Sequence, residues 1–167
     1  LAFSSISHLG WMAIILLSSP KLVLLTFLLY CIMTTTIFST LNTTKTLKLS
    51  TMITAWTKIP PLSATLMLTL LSLAGLPPLT GFLPKWLIIQ ELTKQEMTPT
   101  ATIIALLSLL GLFFYLRLAY CATITLPPNS TNHMKQWQIN KPVSTLIATF
   151  TTMSIMILPL SPMTLAI

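Results

Sequence analysis

Lys85 is the residue with the most chemistry to offer, because it stands among apolar neighbours beside a stretch that cannot be regular helix. Gly75, Pro77, Pro78, Gly81 and Pro84 fall within ten residues of one another, between two apolar runs. Irregular backbone at membrane depth survives only where protein or water covers it. An ionisable side chain at such a place is a candidate for carrying ions or protons. Pro84 suits the first turn of a half-helix, which sets Lys85 near a helix N-terminus. There the helix dipole and the low polarity of the surroundings both disfavour the charged ammonium. A group that must give up a proton needs that environment. The plainer reading is a lysine snorkelling to the membrane interface.

His8 is the second titratable group inside an apolar run. Ser4, Ser5 and Trp11 share its face at helical spacing. An imidazole flanked by hydroxyls can relay protons, and a satisfied packing histidine is the equal alternative. Tyr30 and Thr34, four residues apart, either extend a polar path or bond between helices. Arg117 stands nine residues before the end of its span, ~13 Å of helix. That is near the limit of snorkelling, so a structural role against a lipid phosphate or a partner carboxylate is expected. Glu91 and Lys94 are three apart and can pair. Cys31 and Cys121 read as small hydrophobes, and no cluster has metal-ligand spacing.

These residues need helices of membrane length to position them. The chain has 167 residues, 54% of them hydrophobic and 7% charged, where a soluble domain carries about 25% charged. That composition specifies an all-α, polytopic transmembrane bundle in one membrane domain. Five spans are expected, at residues 1–17, 22–41, 60–92, 100–126 and 143–167, with the third broken at 75–81. The two halves of the third span sum to about one bilayer crossing, at ~1.5 Å per residue. Prolines 20, 60, 61, 99, 127, 128 and 142 fall at span ends, where a missing N–H costs least. Residues 18–21 and 93–99 are expected as turns.

The formal charge of +7 does not signal nucleic acid, since the basic stretches lack interleaved aromatics. It signals orientation. Loops 42–58 and 127–141 carry five lysines and no acid, which puts both on the inner side and the C-terminus on the outer side. Leu1 enters an apolar run with no charged region before it, so no signal peptide is expected. The chain is expected to be the C-terminal part of something longer. Gly-rich phosphate loops, nucleophile elbows and His/Cys clusters are missing from the sequence, so no redox cofactor is expected on this chain.

Ser4-Ser5-Ile6-Ser7-His8-Leu9-Gly10-Trp11 and Gly75-Leu76-Pro77-Pro78-Leu79-Thr80-Gly81-Phe82-Leu83-Pro84-Lys85-Trp86 resemble the antiporter-like subunits of respiratory NADH:ubiquinone oxidoreductase (complex I), in particular the mitochondrial subunit 2 type. Tyr115-Leu116-Arg117-Leu118 and Met134-Lys135-Gln136-Trp137-Gln138 fit the same family. The resemblance implies a proton-translocating fold of two inverted five-helix repeats, each with a broken helix. It also implies a glutamate and two lysines in the first repeat and one lysine in the second broken helix. Lys85 matches that last lysine and His8 a histidine on the polar axis. The other three would lie upstream of Leu1. NADH, FMN, iron–sulfur clusters and ubiquinone would sit on partner subunits. The partners implied are other complex I membrane subunits, adjacent antiporter-like ones included, and lipid, with cardiolipin near Arg117. The place implied is the mitochondrial inner membrane, with loops 42–58 and 127–141 in the matrix and the C-terminus toward the intermembrane space. Two other classes compete. A structural scaffold would tolerate loss of Lys85 in all but assembly. A stand-alone cation/proton antiporter would work without partners and depend on a monovalent cation.

Overall fold

The structure is a computed structural model that describes residues 2–45, 48, 51–52, 60–124, 145 and 147–155. All regular structure among the described residues is helical. Five helices are α1 (Ala2–Ile15), α2 (Pro20–Thr44), α3 (Pro60–Ala74), α4 (Phe82–Lys94) and α5 (Thr98–Ile124). Residues 147–155 are helical as well, apart from the undescribed neighbours on either side.

Local sequence explains the boundaries. Pro20 occupies the first helical position of α2, where its fixed φ is useful and its missing N–H is no loss. It therefore opens the helix two residues earlier than the expected start at 22. Past residue 41, Thr43 and Thr44 each turn a hydroxyl back to the Thr40 carbonyl, both at 2.8 Å. That carries α2 on to Thr44, and Lys45 ends it in the left-handed region at φ 51°. Likewise α4 runs through Lys94, inside the expected turn at 93–99, and α5 opens at Thr98 with Pro99 in its first turn. Buried hydroxyls in these helices bond their own backbone one turn back: Thr36 to the Met33 carbonyl, Thr40 to Ile37, Thr69 to Leu66. A threonine satisfied in this way can enter an apolar interior at little cost.

Of the five expected spans, two stand at full length among the described residues. The 25-residue α2 and the 27-residue α5 are long and apolar enough to cross a membrane. The 14 residues of α1 reach only ~21 Å at ~1.5 Å each. The 15 of α3 and 13 of α4 are each short of a ~30 Å core. The fifth expected span lies mostly outside the described residues.

The packing shows how the two short helices are used. One apolar cluster joins Met33 and Ile37 of α2, Leu66, Leu70 and Leu73 of α3, and Tyr115, Ala119 and Ala122 of α5. A second joins Trp11 and Ile15 of α1, Ile88 and Leu92 of α4, and Ala101 of α5, with Leu22 and Val23 of α2 against it. Along α5, α4 is therefore met early and α3 late, and α2 gives the same order. The halves succeed one another along two long neighbours that run antiparallel to them. Away from these contacts α5 is apolar and open, with Ile103, Leu106, Leu110 and Phe113 all exposed, as a lipid-facing helix would be.

Candidate functional site

The break is built by the way α3 stops. Gly75 adopts φ +86°. Its N–H donates to the Ser72 carbonyl at 2.9 Å, and the Leu76 N–H donates to the Leu71 carbonyl at 3.5 Å. This pair of bonds is the Schellman stop, and it needs a left-handed residue that glycine supplies without strain. The chain then turns through exposed Pro77 and Pro78, which have no N–H to satisfy. Leu79, Phe82 and Leu83 donate in succession to the carbonyls of Leu76, Leu79 and Thr80. Gly81 brings its backbone so close to α3 that a Cβ there would lie 1.7 Å from the Ser72 carbonyl oxygen. The Thr80 hydroxyl donates to the Ser154 carbonyl, so the helical segment 147–155 meets the break. Thr80 and Ser154 are both fully buried.

Lys85 sits in the first turns of α4, but its charge does not. Its side chain reaches back over Gly75, and Nζ donates to the Ala74 carbonyl at 2.8 Å. A Cβ on Gly75 would meet Nζ at 2.9 Å and Cδ at 3.0 Å. The ammonium thus caps the C-terminal, negative end of α3, where a cation is favoured. This corrects the expectation that the α4 dipole opposes it. The reach of the side chain, ten residues past the glycine it crosses, decides which helix end the charge feels.

Around Lys85 lies a cleft of ~240 Å³ between α1, α3, α4 and α5, large enough for several waters at ~30 Å³ each. Ser4, Ser7, His8 and Trp11 line it from α1, Ala74 from α3, and Ser108 and Tyr115 from α5. Gly10 and Gly111 line it too, and neither has another described atom within 4 Å of where a Cβ would stand. His8 and Lys85 also border a second, one-water void of ~10 Å³ toward Thr26 and Met33 of α2. Lys85 is close enough to His8 for a charge on one to act on the other. The Tyr30 ring lies over the His8 ring at 4.9 Å between centroids.

Of the residues singled out from the sequence, Lys85, His8, Ser4 and Trp11 line this one cleft, and Tyr30 joins them through His8. Ser5 and Thr34 do not line it. The Ser5 hydroxyl donates to the Ala2 carbonyl at 2.6 Å, and Thr34 donates to the Tyr30 carbonyl at 2.9 Å. Both are satisfied by their own helices. Lys94 pairs with Glu91 at 3.6 Å, a solvated contact. Arg117 is exposed, and Cys31 and Cys121 are free and half-buried. The described residues hold no group of three or more potential metal ligands. Tyr115 was not expected at the site. It is 8% exposed and lines the cleft together with Ser4. Its sequence signal was its place in the run Tyr115-Leu116-Arg117-Leu118 that fits the family.

The transmembrane family described as NADH:quinone oxidoreductase/Mrp antiporter matches residues 1–111. The family described as NADH dehydrogenase subunit 2 C-terminus matches residues 112–165. Similar proteins named NADH-ubiquinone oxidoreductase chain 2 include that of Struthio camelus, 74% identical over 99% of this chain and 48% of the relative. That of Mareca falcata is 72% identical over 100% and 48%, and that of Coturnix japonica 69% over 98% and 47%. The chain spans about half the length of the curated relatives it matches.

Proposed function

The chain belongs to the NADH:quinone oxidoreductase/Mrp antiporter transmembrane family, and from that membership we propose that it is part of a proton-translocating membrane subunit of respiratory NADH:ubiquinone oxidoreductase. The observation that carries the reading is the half-buried Lys85 ammonium, tied to the Ala74 carbonyl across the break and facing a cleft shared with His8. Lysine suits the task because it can lose its proton in an apolar setting, whereas guanidinium cannot.

In this reading Lys85 holds a proton against the C-terminal end of α3. A negative charge arriving on a neighbouring subunit strengthens the hold, and its departure releases the proton outward or toward the next antiporter-like subunit. The redox steps belong to partner subunits that bind NADH, FMN, iron–sulfur clusters and ubiquinone. This chain contributes the proton site alone. It crosses the mitochondrial inner membrane five times, with α3 and α4 together as one broken crossing. Residues 42–58 and 127–141 face the matrix, as their lysines dictate. Exposed Arg117 meets lipid phosphate or a carboxylate of a neighbouring membrane subunit.

The test is Lys85→Met in the whole assembled complex. The expected outcome is normal subunit content with NADH-driven ubiquinone reduction and proton uptake both reduced. Unchanged rates and coupling would contradict the reading and favour a scaffold. Sidedness is checked with cysteines placed at Thr44 and Asn129 in mitoplasts. Both should be shielded from impermeant reagent, and labelling from outside would reverse the orientation.

A further inference from the structure

The cleft beside Lys85 has a buried floor and an open mouth. Ala74 and Tyr115 line it from below and are buried, whereas Gly10 and Ile14 of α1 and Leu107 and Gly111 of α5 line it and are exposed. The mouth therefore opens sideways, between α1 and α5. Gly111 stands midway along the 27-residue α5, and the exposed surface around the mouth is apolar, with Leu9 on one side and Leu106 and Leu110 on the other. In a chain that crosses a membrane, such a mouth faces hydrocarbon. At neither glycine would an added Cβ meet another described atom within 4 Å, so the rim is open at both. Inside, the Lys85 ammonium lacks a carboxylate. The chain has two acids, Glu91 and Glu96. Glu91 pairs with Lys94, and Glu96 is exposed beyond the end of α4. Lys85 reaches the other way, back to the Ala74 carbonyl, and that bond uses one of the ammonium's three donors.

We propose that the cleft binds a long-chain carboxylic acid from the bilayer, its acyl chain lying between α1 and α5 and its carboxylate against Lys85. This rests on the reading of Lys85 as a proton site. An ammonium with no acid of its own chain beside it, below an apolar mouth, is the complement of an anionic head on an apolar tail. A phosphate head would carry its charge to membrane depth at high cost. A carboxylic acid enters neutral and ionises on arrival. Its O–H bond breaks, the proton forms an N–H bond on the neutral Lys85 amine, and carboxylate and ammonium remain as a charge-assisted pair. The amine captured in this way is the one left after proton release. The bound acid keeps Lys85 protonated, and its tail excludes water from the cleft. Pumping and coupled turnover slow as a result.

The experiment uses the assembled complex in liposomes, with the proton gradient collapsed by an ionophore so that uncoupling by free acid is not read. The probes are palmitic acid, cetyl alcohol as its uncharged counterpart, and palmitic acid with a diazirine in its chain. The acid should slow NADH-driven ubiquinone reduction where the alcohol does not, and the diazirine should label α1 or α5 at the mouth. Gly111→Leu, or Gly10→Leu should the first fail to assemble, fills part of the mouth. Read against the variant's own uninhibited rate, the half-inhibitory concentration should rise about tenfold or more, and the label should fall with it. Lys85→Met should lose the label too, since no charge remains to hold the acid. Unchanged inhibition in the glycine variant would place the acid elsewhere and overturn the proposal. Equal inhibition by the alcohol, or full labelling of Lys85→Met, would overturn it as well, by leaving the ammonium no part in binding. So would label on neither helix, the result of a neighbouring helix seated in the mouth. Wild-type turnover in Lys85→Met would instead overturn the proposed function, while loss of label in that variant would leave the acid site standing.

Discussion

The chain has four glycines, and the structure uses them in two opposite ways. Gly75 and Gly81 at the break are hemmed in, one by the Lys85 side chain and the other by the Ser72 carbonyl. Gly10 and Gly111 on α1 and α5 border the cleft, with no other described atom within 4 Å of an added Cβ. At the break, glycine permits contact: the backbone is folded tightly enough to present the end of α3 to an ammonium. Along the cleft, glycine leaves room. A site for a mobile proton needs both, a fixed holder and a space through which water can pass.

The largest effect should come from Gly81→Ala. The added methyl meets backbone rather than a movable side chain, and overpacking of this kind costs about 3 kcal/mol. The complex isolated from such a variant should contain little of this subunit, as read by native gel. Near-normal content would mean that the approach of Gly81 to Ser72 is looser than described. Next is Gly75→Ala, where the positive φ costs about 1–2 kcal/mol and the methyl displaces Lys85 from the Ala74 carbonyl. Assembly should survive in part while turnover falls further than subunit content does. A fall in the two by equal measure would separate Gly75 from the lysine.

Thr80→Val should cost about 1 kcal/mol, through loss of the bond to the buried Ser154 carbonyl. A lower temperature for loss of the subunit on heating the solubilised complex would show it. Smallest of all is Gly111→Ala. In an exposed helix interior alanine is favoured by up to about 1 kcal/mol, so stability should hold or rise slightly. A marked loss of stability would place a neighbour against Gly111 and remove the contrast between the two pairs.

Much of this arrangement was legible from residue types alone. Gly75, Pro77 and Pro78 stop a helix for local reasons, so the break could be read directly, and Pro20 and Pro99 mark helix starts for the same kind of reason. Apolar length made α2 and α5 visible, while α1 and the two halves around the break came out too short to be judged one by one. The partner of Lys85 was not legible, because the Ala74 carbonyl becomes available only when the turn at Gly75 folds back under the side chain. Thr80 and Ser154 are 74 residues apart in sequence, a distance that no local pattern spans. Ser5 and Ser4 have equal claim to the face of His8 by spacing. Their fates differ because the Ser5 hydroxyl turns back to the Ala2 carbonyl, while Ser4 lines the cleft.

The central claim is that Lys85 releases its proton and is more than a clasp between α3 and α4. Lys85→Arg tests it most directly, since guanidinium keeps the positive charge and can still donate to the Ala74 carbonyl, yet cannot deprotonate. The measurement is proton uptake per ubiquinone reduced, together with turnover, in reconstituted complex of normal subunit content. The account predicts that the arginine variant assembles like wild type and pumps as poorly as Lys85→Met. Wild-type pumping by the arginine variant would make Lys85 a structural cation and contradict the account.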